Sequence, residues 1–212
     1  MISTNRLFNP LIISISGTLA MILARMIYAQ NLYYGYLVWN LFLAAVPLFI
    51  SNILYKQVHL PRIVLYVGLA IWLLFLPNAP YIITDLVHLH HRPPVPFWYD
   101  MLILLLSVMN GLALGFISIT RVEQIIIRRN AKYLLAIFRV LVILVMSYGV
   151  FLGRYLRFNS WDIFFRPVHV MQGMADSMNR HTLAFVCCFS FVSYVLYMFF
   201  RLIPLFRIRE VS

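Results

Sequence analysis

The sequence predicts an all-α, polytopic membrane helical bundle of about six transmembrane helices, the third helix broken at Pro77 and Pro80. Three observations carry that prediction. The chain has 212 residues, 63% of them hydrophobic and only 11% charged, whereas soluble domains carry roughly 25% charged residues. Apolar runs of roughly 20 residues recur along the whole length, each able to cross about 30 Å of hydrocarbon as a helix. No stretch between them is polar or long enough for a soluble domain, so residues 1–212 read as a single integral membrane domain.

The spans fall at about residues 11–28, 33–54, 63–88, 98–120, 133–153 and 181–203. The first run follows Arg6 and lacks a small-x-small cleavage site, so it is expected to stay as an anchor. Net charge is +11. Most basic residues lie in short segments between apolar runs, where they orient the chain and meet anionic headgroups. Membrane lipids are therefore the expected partners. Nucleic acid is not, because no basic stripe rides on a polar scaffold. One side collects Arg6, Lys56, Arg62, Arg121, Arg128, Arg129, Lys132, Arg201, Arg207 and Arg209. The other has Arg25, Arg92, Arg154, Arg157, Arg166 and Arg180. The richer side is expected to be cytoplasmic, with both termini there. Arg25 and Arg139, near or within spans, are expected to snorkel to headgroups. Cys187 and Cys188 are adjacent, without metal-ligand spacing, and read as free buried thiols.

The third span contains Leu76-Pro77-Asn78-Ala79-Pro80-Tyr81. Counted from Ile63, Pro77 lies about 21 Å along a helix. Each proline removes a backbone donor and biases the residue before it, Leu76 or Ala79, toward extended geometry. Carbonyls such as those of Leu73 and Leu76 would lose their helical partners, and at membrane depth protein or water must replace them. Asn78 and Tyr81 are placed to help. The order Asn-Ala-Pro, found once, is not the Asn-Pro-Ala pair of an aquaporin.

Other polar residues gather on the same side. Asp100 opens the fourth span, and Asn110 follows about 15 Å deeper. Asp100, Ser107 and Gly111 share one face that should look into the bundle. After the fifth span comes Gly153-Arg154-Tyr155-Leu156-Arg157-Phe158-Asn159-Ser160-Trp161-Asp162. Two guanidinium groups so close need carboxylate or phosphate partners, and Asp85, Asp100 and Asp162 are available. Either the ions clamp helix ends together, or one arginine stays free for an anionic ligand. The expected polar pocket comprises Asn78, Tyr81, Asp85, Asp100, Asn110, Arg154, Arg157, Asn159 and Asp162. No cofactor is expected. Asp85, His88 and Asp100 are the residues a divalent metal would use, although His90, His91 and the prolines after them read as an exposed connector. Ser107-xxx-Gly111-xxx-Gly115 and Gly149-xxx-Gly153 permit close helix approach. They are read at different depths, as packing seams within one chain.

Together the segments Leu76-Pro77-Asn78-Ala79-Pro80-Tyr81 with Thr84-Asp85-Leu86, Trp98-Tyr99-Asp100, Asn110-Gly111 and Gly153 to Asp162 resemble a family of small bacterial membrane proteins, domain of unknown function thirteen sixty-one. The resemblance runs from the second span to the sixth. It implies a bacterial cytoplasmic (inner) membrane protein and supplies no activity or catalytic residue.

The leading functional reading is an extracytoplasmic-facing polar pocket that binds an anionic small molecule or lipid headgroup. An intramembrane hydrolase or transferase acting on a lipid-linked substrate, with Asp85 or Asp100 as general base, is the first alternative. A small transporter is weakened by inner span halves that look apolar apart from Asn40 and Arg139. A structural or accessory subunit is the last.

Overall fold

The computed structural model describes residues 4–57, 60–129 and 131–203. Arg207 and Arg209 lie outside the described residues, and the side chains of Arg6 and Lys132 outside those described. The helices in order are α1 (Thr4–Ala29), α2 (Gly35–Lys56), α3 (Arg62–Phe75), α4 (Asn78–Tyr81), α5 (Phe97–Arg128), α6 (Leu135–Tyr155), α7 (Asp162–Phe165), α8 (Pro167–Asp176) and α9 (Arg180–Leu202). A 3₁₀ stretch, Ile82–His88, continues α4. Six spans are long and apolar enough to cross a bilayer, with Arg62–His88 counting as one. The protein is an all-α polytopic bundle.

The end of the bundle bearing the connections 30–34, 89–96 and 156–179 is called distal below, and the opposite end proximal. α5 is the axis. Of its most apolar stretch 72% is buried, against 17% for α1 and for α9. α1, α2 and α4 pack on it, while α6 pairs with α9 and only lightly touches α3. Outward faces carry Phe42, Phe49, Leu105, Met109, Val140 and Leu141 in exposed positions, as lipid-facing surfaces should in the absence of water.

The broken third span is held between two glycine faces. A Cβ on Gly111 would stand 2.7 Å from the Ala79 carbonyl oxygen, and one on Gly115 2.7 Å from the Ala79 Cβ. From the other side, a Cβ on Gly149 would stand 2.8 Å from the Pro77 Cβ, and one on Gly153 3.2 Å from the Tyr81 ring. Both small-residue motifs are thus intramolecular seams. They do not lie at separate depths as expected, because α5 extends past residue 120 and α4 brings both to one level.

The prolines act differently from expectation. Leu76 stays helical (φ −55°, ψ −38°), and the chain passes Pro77 without an extended residue there. Leu76 N–H still reaches the Trp72 carbonyl, while Ala79 N–H takes up the Leu76 carbonyl at 3.1 Å. The freed Phe75 carbonyl accepts from Asn78 Nδ2 at 2.8 Å. A tightened turn and one amide side chain thus satisfy the Leu76 and Phe75 carbonyls. Cys187 and Cys188 are free but exposed on α9, not buried, because α9 presents little of its surface to the bundle.

Candidate functional site

The distal end of α6 carries two arginines with different fates. Arg154 ends the regular helix and turns toward the 3₁₀ stretch, where its guanidinium lies 3.8 Å from Asp85 Oδ1. Asp85 is buried, and its Oδ2 accepts from Asn40 Nδ2 at 2.8 Å. Arg154 Nη1 also stands 3.1 Å from His88 Nε2. An arginine has only donors, so this contact requires the imidazole proton on Nδ1. Arg154 is therefore a clamp between α6 and the third span.

Arg157 is not. It occupies the left-handed region with φ 58°, in the bend where Phe158 N–H returns to the Leu152 carbonyl. Its side chain is exposed, and among the described residues no carboxylate, hydroxyl or ring contacts its guanidinium. A Cβ opposes the left-handed conformation, so the surrounding bend holds this residue against its own backbone preference.

Below it lies a cavity of about 790 Å³ between α2, α3 and α6, roofed by residues 157–160 and by α8. Its walls are apolar, with Leu43, Leu73, Leu74, Val145 and Leu152. Its polar groups cluster at the distal end: Asn40, Asn78, Tyr81, Arg154, Arg157 and Asn159. Ala70 and Val145 line it and are exposed at mid-span, so it opens sideways between α3 and α6. From Val145 to Arg154 the wall runs about 14 Å. Ser160 Oγ meets Asn78 Nδ2 at 2.9 Å and ties the roof to the broken helix.

The remaining expected pocket residues are engaged elsewhere. Asp100 is sealed against α1, where Arg25 Nε donates to its Oδ1 at 3.1 Å and Nη2 to Oδ2 at 3.4 Å. Arg25 also donates to Asn31 Oδ1 at 2.6 Å and lies 4.6 Å from the centre of the Tyr34 ring. Burial and the neighbouring Asp100 push the Tyr34 hydroxyl up to about 12, so it stays neutral. Arg25 is thus not snorkelling. Asn110 serves a second junction with α1, accepting from Ser14 Oγ at 2.7 Å and donating to Thr18 Oγ1 at 2.8 Å. Asp162 holds the roof bend, accepting from Asn159 N–H at 2.7 Å. Among the described residues no three His, Cys, Asp or Glu side chains stand together as metal ligands; Asp100 is bound to Arg25, and Asp85 and His88 to Arg154.

A proximal charge cluster escaped the sequence reading. Glu123, fully buried on α5, accepts two bonds from Arg139, at 2.7 and 3.1 Å, and one from Tyr197 Oη at 2.8 Å. Arg201 lies 3.9 Å away. Arg139 is therefore a buried-acid partner, not a snorkelling residue, and the inner halves of the spans are not wholly apolar. Asn40, placed there by the sequence reading, belongs to the distal site. An acid within an apolar run, with Arg139 unassigned, was the available signal.

A family profile described as protein of unknown function (DUF1361) matches residues 39–196. The chain belongs to that family. The stretch shared with DUF1361 contains every residue lining the distal cavity, while Ser14, Thr18 and Arg25 of α1 lie outside it. No curated protein and no solved structure matches the chain.

Proposed function

We propose that this protein binds an anionic amphiphile, its chain in the distal cavity and its charged head at Arg157. The observation that carries this reading is the unpaired Arg157 in the distal roof of an apolar, laterally open cavity. Arg154, three residues earlier, has its carboxylate and cannot be the main anion receptor without breaking a clamp. The lateral opening suits a ligand arriving from the bilayer. Binding is favoured over hydrolysis because both oxygens of Asp85 face partners, leaving no carboxylate of this cluster poised over the cavity as a general base. The same reading sets the distal end on the extracytoplasmic side of a bacterial inner membrane, in keeping with the greater number of basic residues at the proximal end.

The test uses purified, delipidated protein with phosphatidic acid and phosphatidylcholine of matched chains, bound stoichiometries being read by native mass spectrometry. A charge-assisted hydrogen bond contributes about 1.5–3 kcal/mol, so Arg157→Gln should weaken phosphatidic acid roughly ten- to a hundredfold and leave phosphatidylcholine unchanged. Equal affinity of the wild-type protein for the two lipids sinks the reading.

A further inference from the structure

A second cavity, of about 530 Å³, adjoins the first, and Arg157, Phe158 and Asn159 line both. It lies beneath α7 and the start of α8, with Trp161, Asp162, Phe165, Arg166 and His169 completing its walls. Its size is within the range of small-molecule sites. The two cavities differ in chemistry. The first is a mainly apolar slot along the spans; the second is a groove of aromatic and hydrogen-bonding residues outside them. Arg157 stands at the junction.

We infer that the ligand is a phosphodiester lipid with an uncharged, hydroxyl-bearing headgroup, its chain in the larger cavity, its phosphate at Arg157 and its head in the groove. This rests on the anionic-amphiphile reading above and narrows it. A phosphodiester has one anionic centre with substituents on both sides, which is the arrangement of an apolar slot, a free guanidinium and a further groove in series. The character of the head follows from charge. Two guanidinium groups, Arg157 and Arg166, line the groove against one carboxylate, Asp162, whose Oδ2 already accepts from Asn159. A cationic ammonium head would meet a net positive wall. A polyol head would find acceptors at Asp162 Oδ1, donors or acceptors at Asn159 and His169, and aromatic carbon at Trp161 and Phe165. His169 is set edge-on to Phe158, ring centres 5.4 Å apart, which fixes the imidazole on the wall.

The experiment compares phosphatidylinositol, phosphatidic acid, phosphatidylethanolamine and phosphatidylcholine of identical chains on the full-length wild-type protein by native mass spectrometry. Phosphatidylinositol should bind at least fivefold more tightly than phosphatidic acid, although the latter carries at least as much charge, and more tightly still than phosphatidylethanolamine. His169→Ala, tested as a folded protein, should close at least half of the gap between phosphatidylinositol and phosphatidic acid. Equal binding of these two, both above phosphatidylcholine, overturns the groove and leaves the anionic-amphiphile reading standing. Preference for phosphatidylethanolamine overturns the assigned head, as does a His169→Ala protein with the full gap. No lipid exceeding phosphatidylcholine overturns both readings. Should His169→Ala fail to fold, the wild-type comparison still decides.

Discussion

Arg25 and Asp100 meet across α1 and α5 with their side chains at 1% and 0% exposure, the most deeply sealed ion pair among the described residues. Two contacts join them, and Asn31 takes a third guanidinium proton. Breaking a buried pair by removing one partner typically costs about 3–5 kcal/mol, because the survivor is left charged without compensation. Arg25→Gln should therefore lower resistance to SDS unfolding by about that amount. Arg25→Gln with Asp100→Asn should recover part of the loss, since no lone charge remains. A double variant as weak as the sum of both singles would show that the pair is not coupled.

Glu123 is the corresponding joint at the proximal end, linking α5 to α6 through Arg139 and to α9 through Tyr197. Glu123→Ala leaves Arg139 and Tyr197 facing an empty acceptor site. It should destabilise the protein by about 3–5 kcal/mol, while Tyr197→Phe, which removes one bond to a charged group, should cost about 1.5–3 kcal/mol. Thermal unfolding in detergent followed by size-exclusion chromatography reads the ranking. Tyr197→Phe weaker than Glu123→Ala would contradict the assignment of Glu123 as the hub.

These joints mark where sequence reasoning reached its limit. The break in the third span was legible because proline acts through its own ring and missing donor, whatever surrounds it. The inward face of Asp100, Ser107 and Gly111 was legible from helical periodicity, and all three are buried. Pairing was not legible. Arg25 and Asp100 are 75 residues apart, and nothing local says which of several acids an arginine will meet. Glu123 was missed because the fourth span was ended near residue 120, whereas α5 runs to Arg128. That Arg154 would meet Asp85 and His88 while Arg157 makes no such contact among the described residues was not legible from their spacing. The short α7 and α8 had too few turns to show a periodicity.

The glycine faces around α4 give a contrast that needs no ligand. Gly111→Ala drives a methyl to 2.7 Å from a backbone carbonyl oxygen, which cannot swing aside. Overpacking of this kind costs about 1–3 kcal/mol. Gly17 on α1 has nothing within 4 Å of an added Cβ. Gly17→Ala should be neutral or stabilising by up to about 1 kcal/mol, the helix propensity difference. Equal responses of the two variants in SDS titration would mean that α4 does not pack on α5 as described.

Sidedness is open to direct chemistry. In a protein freed of its native cysteines, a single cysteine at the exposed His91 should react in intact bacterial cells with a membrane-impermeant maleimide. One at Gln57, in the connection between α2 and α3, should react only after lysis. The reverse pattern would put the Arg157 cavity on the cytoplasmic side.

Arg157→Gly separates anion binding from stability more cleanly than any other substitution at the site. Arg157 adopts φ 58°, a conformation that a side chain opposes by roughly 1–2 kcal/mol and glycine adopts freely. Glycine also loses more chain entropy on folding, which offsets part of the gain. The exposed guanidinium makes no contact whose loss would count against the variant among the described residues. Arg157→Gly should therefore unfold no more easily than the wild type, and up to about 1 kcal/mol less easily. Phosphatidic acid binding should still fall at least as far as in Arg157→Gln. A residue kept for folding predicts the opposite pattern, stability lost and binding lost in proportion. Unfolding in SDS and lipid binding by native mass spectrometry, run on the same preparation, distinguish the two. If stability drops by more than about 1 kcal/mol, the margin assigned above to the bend, Arg157 holds the roof together and its role as a free receptor for an anion is refuted.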